Sequence, residues 1–416
     1  MIINDIISID RKYEVYYIMK FKSQTNPKIH DDFIKNSRLG NLLNSSSWGT
    51  IKDNWVSDIV SVVDDKDEML ASSLVLIKKL ALGKTIIYCP KGIVMDYDNL
   101  KLVSFFFKKL KEYGKNKKAI FIKFDPLFLN KAINPDGTAF QDEFIPEYII
   151  LLKNLGVKYQ GLTSNMSDTI QPRYNAVVDK EDFSFDKLHK RTKQFINKAK
   201  RSYTDIKIGG IELISDFSTL MSFTENRKGV NLRDKAYYNK LLSSYPLSSE
   251  ITLVSIDLNK LSFENQKMIS LNENLLVKTQ SEKKQKNYKS EIDRLTTENN
   301  KLKKLKNEFG STPPIAGTLT VSFGNQTECL YAGMNDKFSS YYPSYLAWFT
   351  AIENSFNQGK ERFNMGGINN DLSETDGLLK FKRNFLPTIE EYVGEFNLPV
   401  NKFLYPLTNW LYKKRK

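Results

Sequence analysis

From Leu247 to Phe309 the chain contains neither Gly nor Pro, so nothing in its composition interrupts a long helix there. Leu261, Met268 and Leu275 recur at intervals of seven, with Leu271 between them, and Ile292, Leu295, Leu302, Leu305 and Phe309 repeat the pattern further on. The residues between, 279–291, are wholly polar. This spacing predicts two helices folded back on each other as an antiparallel coiled-coil arm over 257–309, its tip near Lys283–Lys286. Between Lys260 and Phe309 there are 12 Lys/Arg against 7 Asp/Glu, an excess that favours contact with a polyanion. A solvated arm or a dimerisation element is the plainer reading.

On either side of the arm the pattern changes. Residues 69–89 read as two strands joined by a Leu-Gly-Lys turn, ending in the breaker Pro90-Lys91-Gly92. A helix over 98–113, with Leu100, Val103, Phe106, Phe107 and Leu110 on one face, precedes a strand over 118–124 that Asp125-Pro126 closes. The order returns late in the chain, with strands at 315–323 and 328–332, a helix at 345–357 and a strand at 362–365. Further helices are expected over 185–203, around 217–223 and over 235–242, with a strand around 207–213. Strand–strand–helix–strand, early and late, points to two similar α/β domains. A chain of 416 residues is long enough for two cores.

Several chemistries are excluded. Cys89, Cys329, His30 and His189 are too scattered for a structural zinc site, and both cysteines are expected to be core residues. Lys78 stands where the first Gly of a phosphate loop before Gly83-Lys84-Thr85 would be, and no Gly-x-Ser-x-Gly elbow exists. No run of apolar residues is long enough to span a bilayer, and charges at Asp5, Asp10, Arg11 and Lys12 break any leader-like core. A cytoplasmic protein is therefore expected. Direct transfer between two bound substrates survives, with neither metal nor organic cofactor.

The net charge of +14 attracts polyanions, and part of it is concentrated. Seven Lys/Arg and no acid lie between Lys187 and Arg201, among them Lys190, Arg191, Lys193, Lys198 and Arg201. Leu188, Phe195, Ile196 and Ala199 form the apolar face of the same helix. A one-sided cationic helix suits phosphate contact, whereas an ordinary solvated face mixes both signs.

A set of local patterns then falls in one order: residues 43–52 (LNSSSWGTIK), Phe124-Asp125-Pro126, 168–173 (DTIQPR), Thr224-x-x-Arg227 and Arg233-x-x-x-Tyr237-Tyr238. After the arm come 316–319 (AGTL), 331–334 (YAGM), 364–367 (NMGG), 377–382 (GLLKFK) and 393–396 (VGEF). Together they resemble the Fem family of peptidoglycan branching aminoacyltransferases, and within it the MurM/MurN type. The resemblance runs from about Phe21 to Leu407.

The resemblance implies two acetyltransferase-like (GNAT-like) α/β domains, one over 19–165 and one over 166–256 and 310–416, with the arm at 257–309 inserted in the second. Residues 1–18 would be an extension outside it. It also implies transfer of Ala, Ser or Gly from aminoacyl-tRNA, as co-substrate, to the side-chain amine of the lysine in the stem peptide of lipid II. Partners would then be aminoacyl-tRNA, lipid II and the inner membrane face, to which the basic tail Lys413-Lys414-Arg415-Lys416 is suited. Lys52, Arg233 and Tyr237 would hold the precursor's phosphates, Arg233 and Tyr237 sharing a helix face one turn apart, and Tyr331 would line the pocket. Lys382 would stand by the transferring ester, and Asp125 would take the proton that the acceptor ammonium must lose. The basic helix, together with Lys283, Lys284 and Lys286 at the arm tip, would bind tRNA. The nucleotide-linked precursor UDP-MurNAc-pentapeptide as acceptor, a transferase acting on protein N-termini and a non-catalytic tRNA- or membrane-binding scaffold remain as alternatives, and the oligomeric state stays open.

Overall fold

The computed structural model describes residues 18–52, 54–141, 145–229, 232–370, 372–373 and 375–414. The extension 1–18 falls almost wholly outside this range, as do Arg415 and Lys416 of the basic tail. The chain divides into two α/β units, each with its own sheet and core.

Among the described residues of the first unit, eight strands form one sheet. Its spatial order is Lys20–Lys22, Val56–Val63, Met69–Lys79, Thr85–Cys89, Ala119–Phe124, Phe396–Pro399 and Lys158–Tyr159, with Val94–Met95 paired to Met69–Lys79. The crossover is the helix Leu100–Asn116, whose start is fixed by Asn99, its side chain accepting the Leu102 N–H at 3.0 Å. Leu102, Val103, Phe106, Phe107 and Leu110 are buried by this helix, as their 3.6-residue period requires. Every residue of Ala119–Phe124 is buried, which is the mark of a strand covered on both faces. Thr85–Cys89 and Ala119–Phe124 run parallel from Thr85↔Ala119 to Cys89↔Phe124, so the pair stays zipped to its end.

Among the described residues of the second unit, nine strands form the sheet. The spatial order is Thr204–Gly209, Ser249–Ile256, Pro314–Phe323, Gln326–Met334, Arg362–Ile368, Tyr174–Asp179, Thr388–Tyr392, Leu129–Ile133 and Ala139–Gln141. Here the helix Pro343–Asn357 makes the crossover, and Gln326–Met334 pairs in parallel with Arg362–Ile368. Strand–strand–helix–strand is thus the frame of both units, the acetyltransferase-like α/β architecture expected from the sequence.

The sequence places the division at 165/166 and gives the whole C-terminus to the second unit. Instead the first unit comprises 1–131, 141–173 and 392–416, and the second 132–140 and 174–391. The reason is Phe396–Pro399, which pairs antiparallel with Ala119–Phe124. Phe396 stacks on Phe124 at 5.4 Å and on Tyr159 at 4.9 Å within the first core. Two boundaries also move. The basic helix runs only Lys190–Arg201, because Phe185 is spent packing against Phe349 and His189 occupies the N-cap position. The strand expected around 207–213 is Thr204–Gly209, ended by Gly209-Gly210.

The arm is present as Leu258–Lys278 and Glu282–Phe309, rooted in the second core through Leu258, Leu261, Leu302 and Leu305. The second arm helix buries Leu295, Leu302 and Leu305 as expected, and the first buries Leu261, but the rest of the first helix's seam is shifted. Leu258, Leu261, Asn265, Ile269 and Asn272 are the buried residues of the first arm helix, while Met268, Leu271 and Leu275 are 43%, 48% and 37% exposed. Two seam positions carry asparagine, and Asn265 donates to Asn299 across the seam at 3.2 Å. With those positions polar, the apolar repeat read from the sequence slides by one residue, from Ile269 onto Met268. Buried asparagines in a seam fix register at a cost in stability.

Candidate active site

In the second unit the parallel pair holds register for three positions only: Gln326↔Arg362, Thr327↔Phe363 and Glu328↔Asn364. Beyond them Gln326–Met334 stays with Pro314–Phe323, and Arg362–Ile368 stays with Tyr174–Asp179. The two strands part, and the parting exposes backbone that would otherwise be laddered.

Lys382 reaches this opening from the short helix Gly377–Arg383, which Asp376 starts by accepting the Leu378 N–H at 2.8 Å. Lys382 is 3% exposed, and its Nζ donates to the carbonyls of Gly366 (2.8 Å) and Gly367 (2.9 Å). Gly366 has φ +83°, a conformation that aims its carbonyl there and that side-chain-bearing residues rarely adopt. An ammonium held by carbonyl dipoles away from water exerts its charge at low effective dielectric, where a developing oxyanion feels it most.

Cys329 stands next to this charge. Burial pushes its thiol up to about 12, against the pull of Lys382. Its Sγ donates to the Tyr331 carbonyl at 3.6 Å. So protonated a thiol is no nucleophile at neutral pH.

The Tyr331 ring meets Tyr238 edge-on at 5.0 Å and Tyr237 at 6.1 Å, and the Arg233 guanidinium lies 5.0 Å from the Tyr237 ring centre. Burial, reinforced by Tyr331, holds the Tyr237 hydroxyl well above its ordinary range, so it stays a hydrogen-bond donor. Arg233 and Tyr237 do share a face, but not through a common helix. The helix is Lys235–Ser244, N-capped by Asp234, and Arg233 precedes it. Lys382, Tyr331, Tyr237 and Arg233 therefore belong to one unit, linked through Cys329, which sequence reasoning leaves in the core, and Tyr238, which it quotes only within a motif. The motifs at 237–238 and 331–334 carried the available signal.

Asp125 and Lys52 belong to the first unit. Asp125 ends Ala119–Phe124 and is 6% exposed. Its Oδ1 accepts the Lys91 N–H at 2.9 Å. Its Oδ2 and the Tyr88 hydroxyl are both buried, and the two groups are neighbours. Burial raises the Asp125 carboxyl to about 6, Lys91 opposing and Glu395 adding to the rise. The turn that presents Lys91 needs Gly92: at φ +81° a Cβ would fall 2.6 Å from Pro126 Cα. Glu395 in turn pairs with Lys123 and accepts the Ile170 N–H at 2.5 Å, tying 168–173 to this place.

Lys52 caps the helix Ser46–Ile51 at its C-terminus, with Nζ 4.7 Å from the Trp48 ring centre. The segment before it is joined to the Asp125 turn by Asn44, whose Nδ2 donates to Pro90 O at 2.6 Å.

The cations assigned to RNA fall in two places of the second unit. Lys190, Arg191, Lys198 and Arg201 are exposed on Lys190–Arg201, and Lys193 is half-buried, donating to Asp186 O at 3.1 Å. Phe195, half-buried on the same helix, stacks on Tyr342 at 4.0 Å, with Arg191 over the one ring and Lys198 over the other. Lys283, Lys284 and Lys286 are exposed just after the arm's turn at 279–281. An arm helix of 21 residues carries them roughly 30 Å from its root.

Comparisons with known proteins agree with this architecture. FemA aminoacyltransferases of Staphylococcus aureus strains bovine RF122 / ET3-1 and MW2 are each 25% identical over 375 residues, covering 85% of this chain and 89% of the relative. The crystal structure of FemX superposes with a TM-score of 0.72 at 24% identity, over 93% of this chain and 99% of FemX, and so shares its fold. The FemAB family matches residues 25–413, and the chain belongs to that family.

Proposed function

We propose that the protein is a tRNA-dependent aminoacyltransferase that adds Ala, Ser or Gly to the side-chain amine of the stem-peptide lysine in a peptidoglycan precursor, and that, as in the MurM/MurN type, the precursor is lipid II. The observation that carries the reading is Lys382, a buried ammonium fixed by two carbonyls where the second unit's parallel strands part. Membership of the FemAB family supports it.

In the reaction the acceptor nitrogen attacks the ester carbonyl carbon of the aminoacyl-tRNA. The C–N bond forms, negative charge grows on the carbonyl oxygen, and the ester C–O bond to the ribose then breaks. Lys382 stabilises that oxyanion, an interaction stronger in the transition state than in the bound ester. The amine begins as an ammonium with a reference pKa of about 10.4. We assign the uptake of its proton to Asp125, whose carboxyl burial raises to about 6. Forming the amide costs the nitrogen a second proton, which the ribose oxygen receives as it leaves as a hydroxyl, so one proton is released overall. Lys52, Arg233 and Tyr237 bind the precursor's phosphates, Tyr331 shapes the pocket, and the basic helix and arm tip hold the tRNA.

The test is transfer of radiolabelled Ala, Ser and Gly from their tRNAs to purified lipid II and, in parallel, to UDP-MurNAc-pentapeptide. Incorporation into lipid II with little into the soluble precursor is expected. The reverse preference overturns the lipid acceptor, and no incorporation into either by folded protein overturns the enzyme reading.

A further inference from the structure

Tyr405–Lys414, the last helix, covers the first unit's sheet with one side only. Tyr405 and Tyr412 pack edge-on against Phe121 at 5.6 and 6.3 Å. Seven residues apart, they define the inner face. The outer face is apolar and bare: Leu407 is 60% exposed, Trp410 52% and Leu411 45%, with Phe403 just before the helix at 96%. A surface helix ordinarily turns its polar side outward. This one buries two tyrosines and shows solvent its leucines and tryptophan.

A second apolar protrusion stands beside it. The turn Ala81–Gly83 holds Leu82 at φ 56° and 96% exposed. Leu80, which leads into that turn, packs in the same cluster as Tyr405 and Tyr412. The surroundings are cationic. Lys79, Lys118, Lys402 and Lys414 are exposed and Lys84 half-buried, with Lys414 Nζ 4.1 Å from the Trp410 ring centre. From Phe396 to the end of the sequence there are five Lys/Arg and no Asp or Glu.

We propose that this face, Leu82 together with the outer side of Tyr405–Lys414, docks on the surface of an anionic lipid bilayer. Leucine, phenylalanine and tryptophan side chains enter the headgroup boundary while lysines at the same level meet lipid phosphates. Trp410 and Phe403 offer RNA a stacking surface, but Leu82, Leu407 and Leu411 beside them offer none. A second copy would set lysine against lysine. The proposal deepens the lipid-linked reading of the acceptor without depending on it, because vesicle binding is measured apart from transfer.

The experiment sediments the full-length protein with vesicles of phosphatidylcholine containing about one-third phosphatidylglycerol, and with pure phosphatidylcholine. Wild type is expected to partition onto the anionic vesicles, with a blue shift of tryptophan emission that Trp410→Phe removes. Leu407→Ser/Trp410→Ser and, separately, Leu82→Ser should each weaken partitioning, the double variant on the order of tenfold. Lys402→Glu/Lys414→Glu should erase the preference for anionic vesicles. Circular dichroism and thermal midpoints should stay as in wild type in all of them, which shows that they fold. Wild type that ignores the vesicles, or variants that bind as wild type does, overturns the proposal. So does finding that these substitutions dissolve a dimer or weaken tRNA binding while leaving vesicle binding intact.

Discussion

The two units are built on the same strand–strand–helix–strand frame, and the difference that bears on chemistry lies at the end of the parallel pair. In the first unit Thr85–Cys89 and Ala119–Phe124 are laddered to their last residues, and the next residue, Asp125, carries a carboxyl held near 6 by burial. In the second the ladder stops after three pairs, and a lysine from another helix is bonded to one side of the opening. A shut pair that ends in an acid can accept a proton but admits no chain between its strands. An open pair with a fixed cation can receive an acyl group and stabilise the charge that develops on it. Under the proposed function one architecture thus serves two chemical tasks, and the register of a single strand pair separates them.

The largest effect should come from the cation of the open pair. Lys382→Ala is expected to lower the rate of transfer by about 10²–10³-fold or more, the range for losing one oxyanion donor, while circular dichroism and tRNA affinity stay as in wild type. Retained activity would remove the distinction between the two ends.

Next comes the acid of the shut pair. Asp125→Asn should reduce transfer by about 10²-fold and yet stabilise the protein at neutral pH. The sign is set by the raised carboxyl. A folded-state pKa of about 6 against an ordinary 3.8 means that the folded state binds the proton more tightly. Aspartate's contribution to stability is therefore greatest below about pH 4 and declines as pH rises through 6. The gain from asparagine, about 3 kcal/mol, should appear above pH 6 in thermal melts and vanish in acid. Wild-type transfer should itself fall as pH drops below about 6.

A pair of glycine substitutions sharpens the comparison further. Gly92→Ala places a Cβ 2.6 Å from backbone at Pro126, whereas Gly366→Ala meets nothing nearer than 3.6 Å. Both carry the strain of positive φ, about 1 kcal/mol, but only the first adds a clash. Urea midpoints should show Gly92→Ala the more destabilised by at least about 1 kcal/mol. The smallest effect belongs to the arm tip. Lys283→Ala/Lys284→Ala/Lys286→Ala should weaken tRNA binding a few-fold and reduce the salt dependence by up to about one unit of slope per lysine lost from a phosphate. An unchanged slope would assign the tip no phosphate contacts.

Much of this was legible in the sequence because it is locally encoded. The apolar periods placed elements at 98–113, 118–124 and 345–357, where Leu100–Asn116, Ala119–Phe124 and Pro343–Asn357 form, and the ordered motifs carried the family. The features that escaped depended on distant chain or on polar residues in apolar roles. Phe396–Pro399 joins the first unit by pairing with a strand more than 270 residues earlier, which no local pattern encodes. Asn265 and Asn272 occupy the arm seam and displaced the heptad by one position. Asp234 is the N-cap that separates Arg233 from the helix of Tyr237, a signal present in the sequence but outweighed by the spacing of four. Cys329 looks like any buried cysteine until Lys382 is brought beside it.

The most direct test is single-turnover transfer from aminoacyl-tRNA to lipid II by wild type and Lys382→Ala side by side, with tRNA binding measured on the same preparations. The expected result is label in lipid II from wild type, label at least about 10²-fold slower from the variant and equal tRNA affinity. Equal rates in the two proteins, or no transfer by folded wild type that binds tRNA, would contradict the assignment of the open strand pair as the centre of catalysis.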